Sequence, residues 1–354
     1  MSRPGFRLQR RTTAARHQAA AVKVVGALAA LLLAGIVLQL SGRPTLDLAS
    51  AALDYNLGDW FGIEETLLLA APIVLGALAV YLCFRIRLWN IGIDGQMSMG
   101  AVASAAVGLH VDGPEALMLA AMVVAGALGG ALWALIPGVL RAYFQINEII
   151  TTLLLNLVAL QIVVYLSVTA WADGGVSLRS TSPIPYEVPM LSAGLDVGVL
   201  VPLLVAGVLA LVLGRSRWGY ETTIIGANAR AGEAAGMSVR RRIVLVMMAS
   251  GAIAGLSGML QVAGRLHVLS EDVAANTGLY GFIVAALAGA SIVAIIVVGV
   301  LIAMLLHSGI SLATDGVSTD VVVAVYGLIL LLASLGEVAA RYRLIPRRRS
   351  RPAE

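Results

Sequence analysis

Long apolar runs separated by short polar stretches dominate this sequence. Several runs approach the roughly 20 residues that a helix needs to cross a hydrocarbon core about 30 Å thick. No stretch alternates apolar and polar residues in the way that is typical of a membrane β-barrel. The pattern therefore predicts an all-α, polytopic integral membrane protein whose spanning elements are helices.

The boundaries of the apolar runs predict about ten membrane segments. These lie near residues 20–40, 66–84, 88–109, 116–140, 145–166, 197–214, 243–263, 279–289, 291–307 and 321–339. Basic loops are retained in the cytoplasm, and placing both termini there leaves only Arg43, Arg179 and Arg265 outside. A signal peptide is the alternative interpretation of the first run, but that run is about twice as long as a usual signal core.

This topology divides the chain into three regions. Residues 1–19 form a basic cytoplasmic tail, residues 20–339 the transmembrane domain, and residues 340–354 a second basic cytoplasmic tail. The apolar run 280–307 admits either one long helix or two short spans. A single crossing would leave the arginine-rich C-terminal tail outside, so we predict two spans that turn near residues 289–291.

Residues 215–242, RSRWGYETTIIGANARAGEAAGMSVRRR, form a polar island between two apolar runs. Arginines at both of its ends predict a cytoplasmic location. Within it, GANARAGEAAG is rich in alanine and is bounded by Gly226 and Gly236, which permit sharp reversals of the chain. The island therefore predicts a short helix outside the bilayer, and a solvated loop with some helical content is the alternative.

Polar residues also occur where the chain should lie at membrane depth. In LWNIGIDGQMSMGA, residues 88–101, Gly92 and Gly95 interrupt an apolar stretch that also contains Asn90, Asp94 and Gln96. Irregular backbone at this depth must be covered by protein or face a watery cavity. We predict a broken or re-entrant start of the third membrane segment, which serves either a solute path or polar packing that fixes the helix start.

A second polar feature begins the fifth segment. Glu148, Thr152 and Asn156 follow a spacing of four, which places them on one stripe of a helix. This stripe either lines a solute path or hydrogen-bonds to neighbouring helices. In the seventh segment, Gly251, Gly255 and Gly258 form a small-residue face that predicts close helix packing.

Composition agrees with the membrane assignment and narrows the chemistry. The residues are 59% apolar and 12% charged, and the mean hydropathy is +0.92, which leaves too little polar surface to cover a soluble globule. Lys23, the one lysine, follows valine, so no phosphate-binding GxxxxGK[ST] motif is present. The histidines are scattered and Cys83 is the one cysteine, so we predict no catalytic residues, metal site or cofactor.

Four segments together resemble the signature segments of ABC importer permeases of the simple-sugar and nucleoside type. They are LWNIGIDGQMSMGA, NEIITTLLLN, GANARAGEAAGMSV and SGAIAGLSGM, and the resemblance spans residues 67–332. NIGIDGQ at residues 90–96 is similar to the NIGxEGQ pattern of the nucleoside-importing subgroup, with Asp94 in place of glutamate. A second departure is LAGASIVAII, residues 287–296, which stays apolar where relatives usually carry a polar or basic turn with proline.

The resemblance implies that the polar island contains a coupling helix that docks into a cytoplasmic ABC ATPase. The implied ATPase-contacting residues are Gly226, Asn228, Ala229, Arg230, Ala234 and Gly236. The implied partners also include a second permease subunit, identical or different, an extracytoplasmic substrate-binding lipoprotein and membrane lipid. We predict no nucleic-acid partner, because the basic residues flank apolar runs, and a location in the bacterial cytoplasmic membrane.

We therefore predict the permease subunit of an ATP-driven importer for nucleosides or related sugar-containing solutes. The candidate residues of the solute path are Asn90, Asp94, Gln96, Glu148, Thr152 and Asn156. Motion of the coupling helix would reach this path through the sixth and seventh segments. The alternatives are a secondary transporter or channel that needs no ATPase, and a membrane enzyme, for which Asp94 and Glu148 are the acids placed at depth.

Overall fold

The computed structural model describes residues 6–10, 45–172, 179–192, 194–289, 291–314 and 342–346, with the single positions 39 and 327. The chain falls into two compact units. Asn56–His307 form one, and Met1–Tyr55 with Ser308–Glu354 form the other. The site described below lies entirely within Asn56–His307.

Helices make up most of the described chain. In order they are α1 (Thr45–Leu57), α2 (Trp60–Phe84), α3 (Ile93–His110), α4 (Glu115–Phe144), α5 (Glu148–Tyr165), α6 (Val201–Arg215), α7 (Arg217–Ala227), α8 (Ala229–Ala234), α9 (Val239–Leu260), α10 (Thr277–Ala288) and α11 (Ile292–Thr314). Short 3₁₀ or π turns precede α6 and follow α5 and α9. The all-α prediction is thus confirmed for the membrane domain.

The two tails contain a short ribbon that the sequence pattern did not predict. Strand β1 (Phe6–Arg10) pairs antiparallel with β2 (Tyr342–Pro346), so that Phe6 lies opposite Pro346. The two strands come from opposite ends of the chain, and pairing between distant segments leaves little trace in a local hydrophobic pattern. The ribbon belongs to the terminal unit.

Six described helical stretches are long and apolar enough to cross a membrane. They are Trp60–Phe84, Glu115–Phe144, Glu148–Ala170, Val197–Arg215, Val239–Arg265 and Ile292–Gly309. With α3 and the shorter α10, they correspond to the second to ninth predicted segments. The first and tenth predicted segments lie outside the described residues, apart from positions 39 and 327. The total of ten therefore stays a prediction.

Close contacts between helix backbones hold α9 against its neighbours. A Cβ atom added to Gly255 would lie 2.1 Å from the carbonyl oxygen of Gly126 on α4. One added to Gly251 would lie 2.3 Å from the carbonyl oxygen of Gly130, and one added to Gly258 would also meet backbone atoms, those of α3. Small residues let helices approach this closely. The predicted packing role of the glycines in α9 is confirmed.

The apolar run 280–307 is divided, as predicted. Helix α10 ends at Ala288, and Gly289 follows with φ 67° and ψ −128°, a conformation that favours glycine. The next helix, α11, begins at Ile292. Helix α10 has 12 residues and is about 18 Å long, too short to cross the bilayer alone. Its Phe282 ring lies 5.7 Å from the Phe84 ring, so α10 occupies the half of the bundle near the end of α2.

We predict that Gly255→Ala lowers the thermal stability of the chain. The added methyl group must push α4 and α9 apart, and overpacking of this kind costs about 1–3 kcal/mol. Gly207→Ala is the matched control, because nothing lies within 4 Å of a Cβ at that position in α6. The measurement is the temperature at which half of the monodisperse detergent-solubilised protein is lost. Equal midpoints for the two variants would contradict the packing role.

Candidate functional site

The segment between α2 and α3 is held by a closed network around Asn90. Asn90 is fully buried, and its Nδ2 donates to Gln96 Oε1 at 3.0 Å and to Ser250 Oγ at 2.9 Å. Its Oδ1 accepts from Gln96 Nε2 at 3.0 Å and from the Gly92 amide at 3.0 Å. Ser250 in turn donates to the Ala79 carbonyl at 2.8 Å. Asn90 and Gln96 therefore fix the start of α3 and present little surface to a solute.

Asn156 on α5 hydrogen-bonds to the backbone of the same segment from the other side. Its Oδ1 accepts from the Gly95 amide at 2.8 Å, and its Nδ2 donates to the Ile91 carbonyl at 2.9 Å. Both backbone groups belong to the broken region where α3 starts. They have no partner in regular secondary structure there, so a side chain must supply their hydrogen bonds. Asn156 thus supplies the hydrogen bonds that membrane-depth backbone requires.

Thr152 and Glu148 extend this contact along α5. Thr152 is buried and lies against Gly92, where a Cβ atom would come within 2.8 Å of the Thr152 Cβ. The Thr152 hydroxyl donates to the Glu148 carbonyl at 2.7 Å. The Glu148 carboxylate accepts from the Trp89 amide at 3.4 Å and pairs with Arg141 Nε at 3.2 Å. In this structure the predicted stripe hydrogen-bonds to a neighbouring segment.

Asp94 differs from the other five candidates of the solute path. It lies in the first turn of α3, and its carboxylate accepts from the Gly278 amide of α10 at 2.6 Å. The starts of two helices therefore meet at one carboxylate, which offsets the partial positive charge of their exposed amides. Unlike Asn90 and Gln96, Asp94 keeps part of its surface accessible. Asn156 is also partly accessible, but its two side-chain polar atoms are bonded to the backbone of Gly95 and Ile91.

Trp133 on α4 belongs to the same region, although the sequence did not single it out. Its buried Nε1 has no hydrogen-bond partner among the described residues, and it would lie 3.1 Å from a Cβ atom added to Gly95. A tryptophan within an apolar helix has no sequence pattern that would predict its contact with the start of α3. Its orphan donor lies beside Gly95, the residue whose amide donates to Asn156.

The predicted short helix of the polar island is present as α8. Asn228 caps it, since its side-chain oxygen accepts from the Arg230 amide at 3.1 Å and the Ala231 amide at 3.3 Å. Gly236 follows with φ 78° and reverses the chain, as expected for a glycine at this position. Asn228, Ala229, Arg230, Ala234 and Gly236 are all exposed.

Gly226 does not make the predicted reversal. It lies in the last turn of α7, and the chain changes direction at Asn228 instead. A Cβ atom on Gly226 would lie 1.9 Å from the Arg85 carbonyl oxygen. Glycine is needed here because α7 lies directly on the backbone that follows α2, and Gly226 is buried there.

A side-chain contact reinforces this joint. Arg85 Nη2 donates to Thr223 Oγ1 on α7 at 3.1 Å. The segment that begins at Arg85 continues through Trp89 and Asn90 to Asp94. The sequence did not predict this contact, because a contact between distant segments has no local pattern.

Comparisons with known proteins found similarity to transporter permeases along most of the chain. Residues 62–334 match the family described as branched-chain amino acid transport system / permease component. A guanosine ABC transporter permease protein of Bacillus subtilis is 31% identical over 88% of this chain and 92% of its own length. A glucose ABC transporter permease protein of Haloferax volcanii is 31% identical over 96% and 93%.

A third relative, a nucleoside ABC transporter permease protein of Lactococcus lactis, is 28% identical over 79% of this chain and 80% of its own length. No solved structure matches the chain.

We predict that Asn156→Leu destabilises the protein before any solute is added. It would leave the Gly95 amide and the Ile91 carbonyl unpaired, and each such group costs about 1–3 kcal/mol. Thr151→Val is the matched control, because in the described part of the chain the Thr151 hydroxyl bonds only to the Asn147 and Glu148 carbonyls at the start of α5. The measurement is the thermal midpoint of both variants in detergent without solute.

A direct solute contact at Asn156 would give a different result. Asn156→Leu would then keep the thermal midpoint of the wild type and change only the affinity for solute. That outcome would contradict the positioning role described above.

Proposed function

We propose that this chain, which belongs to the family described as branched-chain amino acid transport system / permease component, imports nucleosides or related sugar-containing solutes. It is a multi-pass membrane permease subunit of an ABC transporter. The observation that carries the proposed solute class is the similarity, over most of each chain, to permeases named for guanosine, nucleosides and glucose. The NIGIDGQ segment at residues 90–96 supports the nucleoside class.

The energy for transport would come from a partner. The sequence carries no phosphate-binding loop, so ATP hydrolysis is assigned to a cytoplasmic ABC ATPase subunit. We further propose a second permease subunit, either a copy of this chain or a sister, and an extracytoplasmic binding lipoprotein that delivers the solute. The location would be a bacterial cytoplasmic membrane.

Both termini would lie in the cytoplasm. The basic residues around 3–16 and 341–351 favour that side. The pairing of β1 with β2 supports a common side for the two tails, because paired strands cannot be separated by a bilayer. The polar island, with arginines at both ends, would lie on the same side.

Of the six candidate residues of the solute path, Asp94 is proposed as the one that contacts the solute. A carboxylate accepts hydrogen bonds from vicinal hydroxyl groups, which nucleosides and sugars present. It stands where the half-length α10 begins, and discontinuous helices that start within the bilayer mark binding sites in many transporters. Asn90, Gln96, Glu148, Thr152 and Asn156 would hold the backbone that positions Asp94.

The coupling element would act on this site through the joint between α7 and the segment after α2. The exposed residues of α8 would contact the ATPase, and α7 would transmit the motion through Gly226 to the Arg85 backbone. From there the segment leads to Asp94 within nine residues. This route differs from the one expected through α6 and α9.

We predict that Asp94→Asn lowers nucleoside uptake about tenfold or more, because a hydrogen bond to a charged acceptor contributes about 1.5–3 kcal/mol. Asp94→Glu should retain most of the uptake, since relatives of this type carry glutamate there. Asp59→Asn is the matched control, because Asp59 caps α2 through the Gly62 amide at 2.7 Å without approaching the site. The measurement is uptake of labelled nucleosides into vesicles that contain the whole complex.

Normal uptake and affinity in Asp94→Asn would contradict the assignment of Asp94. A further arm omits the ATPase partner from the vesicles. Uptake that persists without the ATPase would contradict the importer and favour the secondary transporter.

We predict that Gly226→Ala separates ATP hydrolysis from transport. The added methyl group would displace the Arg85 backbone, so uptake should fall several-fold while the complex continues to hydrolyse ATP. Gly214→Ala is the control, since nothing lies within 4 Å of a Cβ there. The readout is the number of solute molecules taken up for each ATP hydrolysed, and a ratio unchanged in Gly226→Ala would exclude the joint as the route of coupling.

A further inference from the structure

A cavity of about 550 Å³ lies where α7 begins, beside the turn after α8 and the first turns of α9. It is distinct from the Asp94 site. The residues that matter for its chemistry are Arg217, Arg241, Arg242, Trp218, Tyr220 and Leu245. A cavity that combines guanidinium groups with aromatic and aliphatic side chains has both a cationic and an apolar wall.

The cavity carries net positive charge in spite of Glu221. The Glu221 carboxylate pairs with Arg217 Nε at 2.9 Å and with the buried Arg242 guanidinium. Arg242 also lies over the Trp218 ring, 5.2 Å from its centre. Glu221 thereby holds two arginines in place, and one of them, Arg242, packs on Trp218. Within the described part of the chain, the exposed Arg241 pairs with no acid.

The start of α9 adds to the attraction for an anion. Ser238 precedes this 22-residue helix and lines the cavity, but its side chain does not cap the helix. The first amides of a helix carry partial positive charge and bind phosphate groups readily. The arginines and the helix start therefore act in the same direction.

The position of the cavity favours a lipid. It lies at the ends of two membrane-spanning stretches, Val197–Arg215 and Val239–Arg265. Tyr220 is 61% exposed and Leu245 is 37% exposed, so apolar surface continues outward from the arginines. Aromatic residues prefer the membrane interface, and basic pockets between membrane helices on the cytoplasmic side suit anionic headgroups.

We propose that this cavity binds the headgroup of an anionic phospholipid. Its phosphate lies against Arg241 and the start of α9, and its acyl chains lie along Tyr220 and Leu245. An acidic segment of a protein partner would match the arginines but would leave that apolar wall unused. The assignment of the cavity to the cytoplasmic side of the membrane rests on the orientation proposed above. Because the turn 235–238 forms part of the wall, a bound lipid would also steady the end of the coupling element.

The test measures which lipids the full chain retains. The chain is released from nanodiscs that contain equal amounts of phosphatidylglycerol and phosphatidylcholine, and native mass spectrometry identifies the bound lipids. Wild type should retain phosphatidylglycerol preferentially. Arg241→Gln should lower that preference about fivefold, the effect of one basic residue near an anionic surface. Arg217→Gln is a second variant. Arg240→Gln is the matched control, because Arg240 lies over the Tyr143 ring outside the cavity and should keep the preference.

Three results would overturn the proposal. Equal losses in Arg240→Gln and Arg241→Gln would show general electrostatic attraction. Displacement of the bound lipid by soluble glycerol 3-phosphate at millimolar concentration would identify a free phosphate as the ligand. Unchanged lipid retention in Arg241→Gln, together with loss of the copurifying ATPase, would identify a protein docking site. None of these readouts requires solute, so they are independent of whether nucleosides are the cargo.

Discussion

Hydrogen bonding of irregular backbone within the membrane domain is the constraint on which the rest of this structure depends. The chain does not pass smoothly from α2 into α3, and the amides and carbonyls of residues 89–95 need partners that lipid cannot supply. Asn156 and Glu148 supply them from α5, and Asn90 supplies one from within the segment itself. The polar residues that a transporter would be expected to expose to solute are therefore largely occupied in supporting the segment that presents Asp94.

Backbone contact without intervening side chains is the second determinant. Gly255 lets α9 lie on α4, and Gly226 lets α7 lie on the backbone after α2. The first contact builds a rigid bundle, whereas the second joins a surface helix to the segment that leads to Asp94. A side chain at either glycine would have to displace backbone, so these contacts transmit displacement with little slack.

Local patterns in the sequence were sufficient to predict the long apolar helices, the division near residues 289–291 and the short helix α8, because hydrophobic length, basic loops and glycine positions are local signals. They did not predict helices α1 and α7. The same patterns could not predict the contact of Gly226 with Arg85, the pair Arg141–Glu148 or the orphan nitrogen of Trp133. Each of these depends on segments that are distant in sequence. The sequence showed the polar stripe on α5. Whether that stripe contacts solute or backbone could be decided only from the positions of α5 and of the segment that precedes α3.

The most direct test is amide hydrogen exchange across residues 89–96 of the full chain in nanodiscs. If α5 supplies the missing hydrogen bonds, these amides exchange slowly in the wild type. Their exchange should accelerate about tenfold or more in Asn156→Leu, which corresponds to the loss of one buried hydrogen bond. Wild-type amides at 89–96 that exchange as fast as those of the exposed turn at 235–236 would contradict the account.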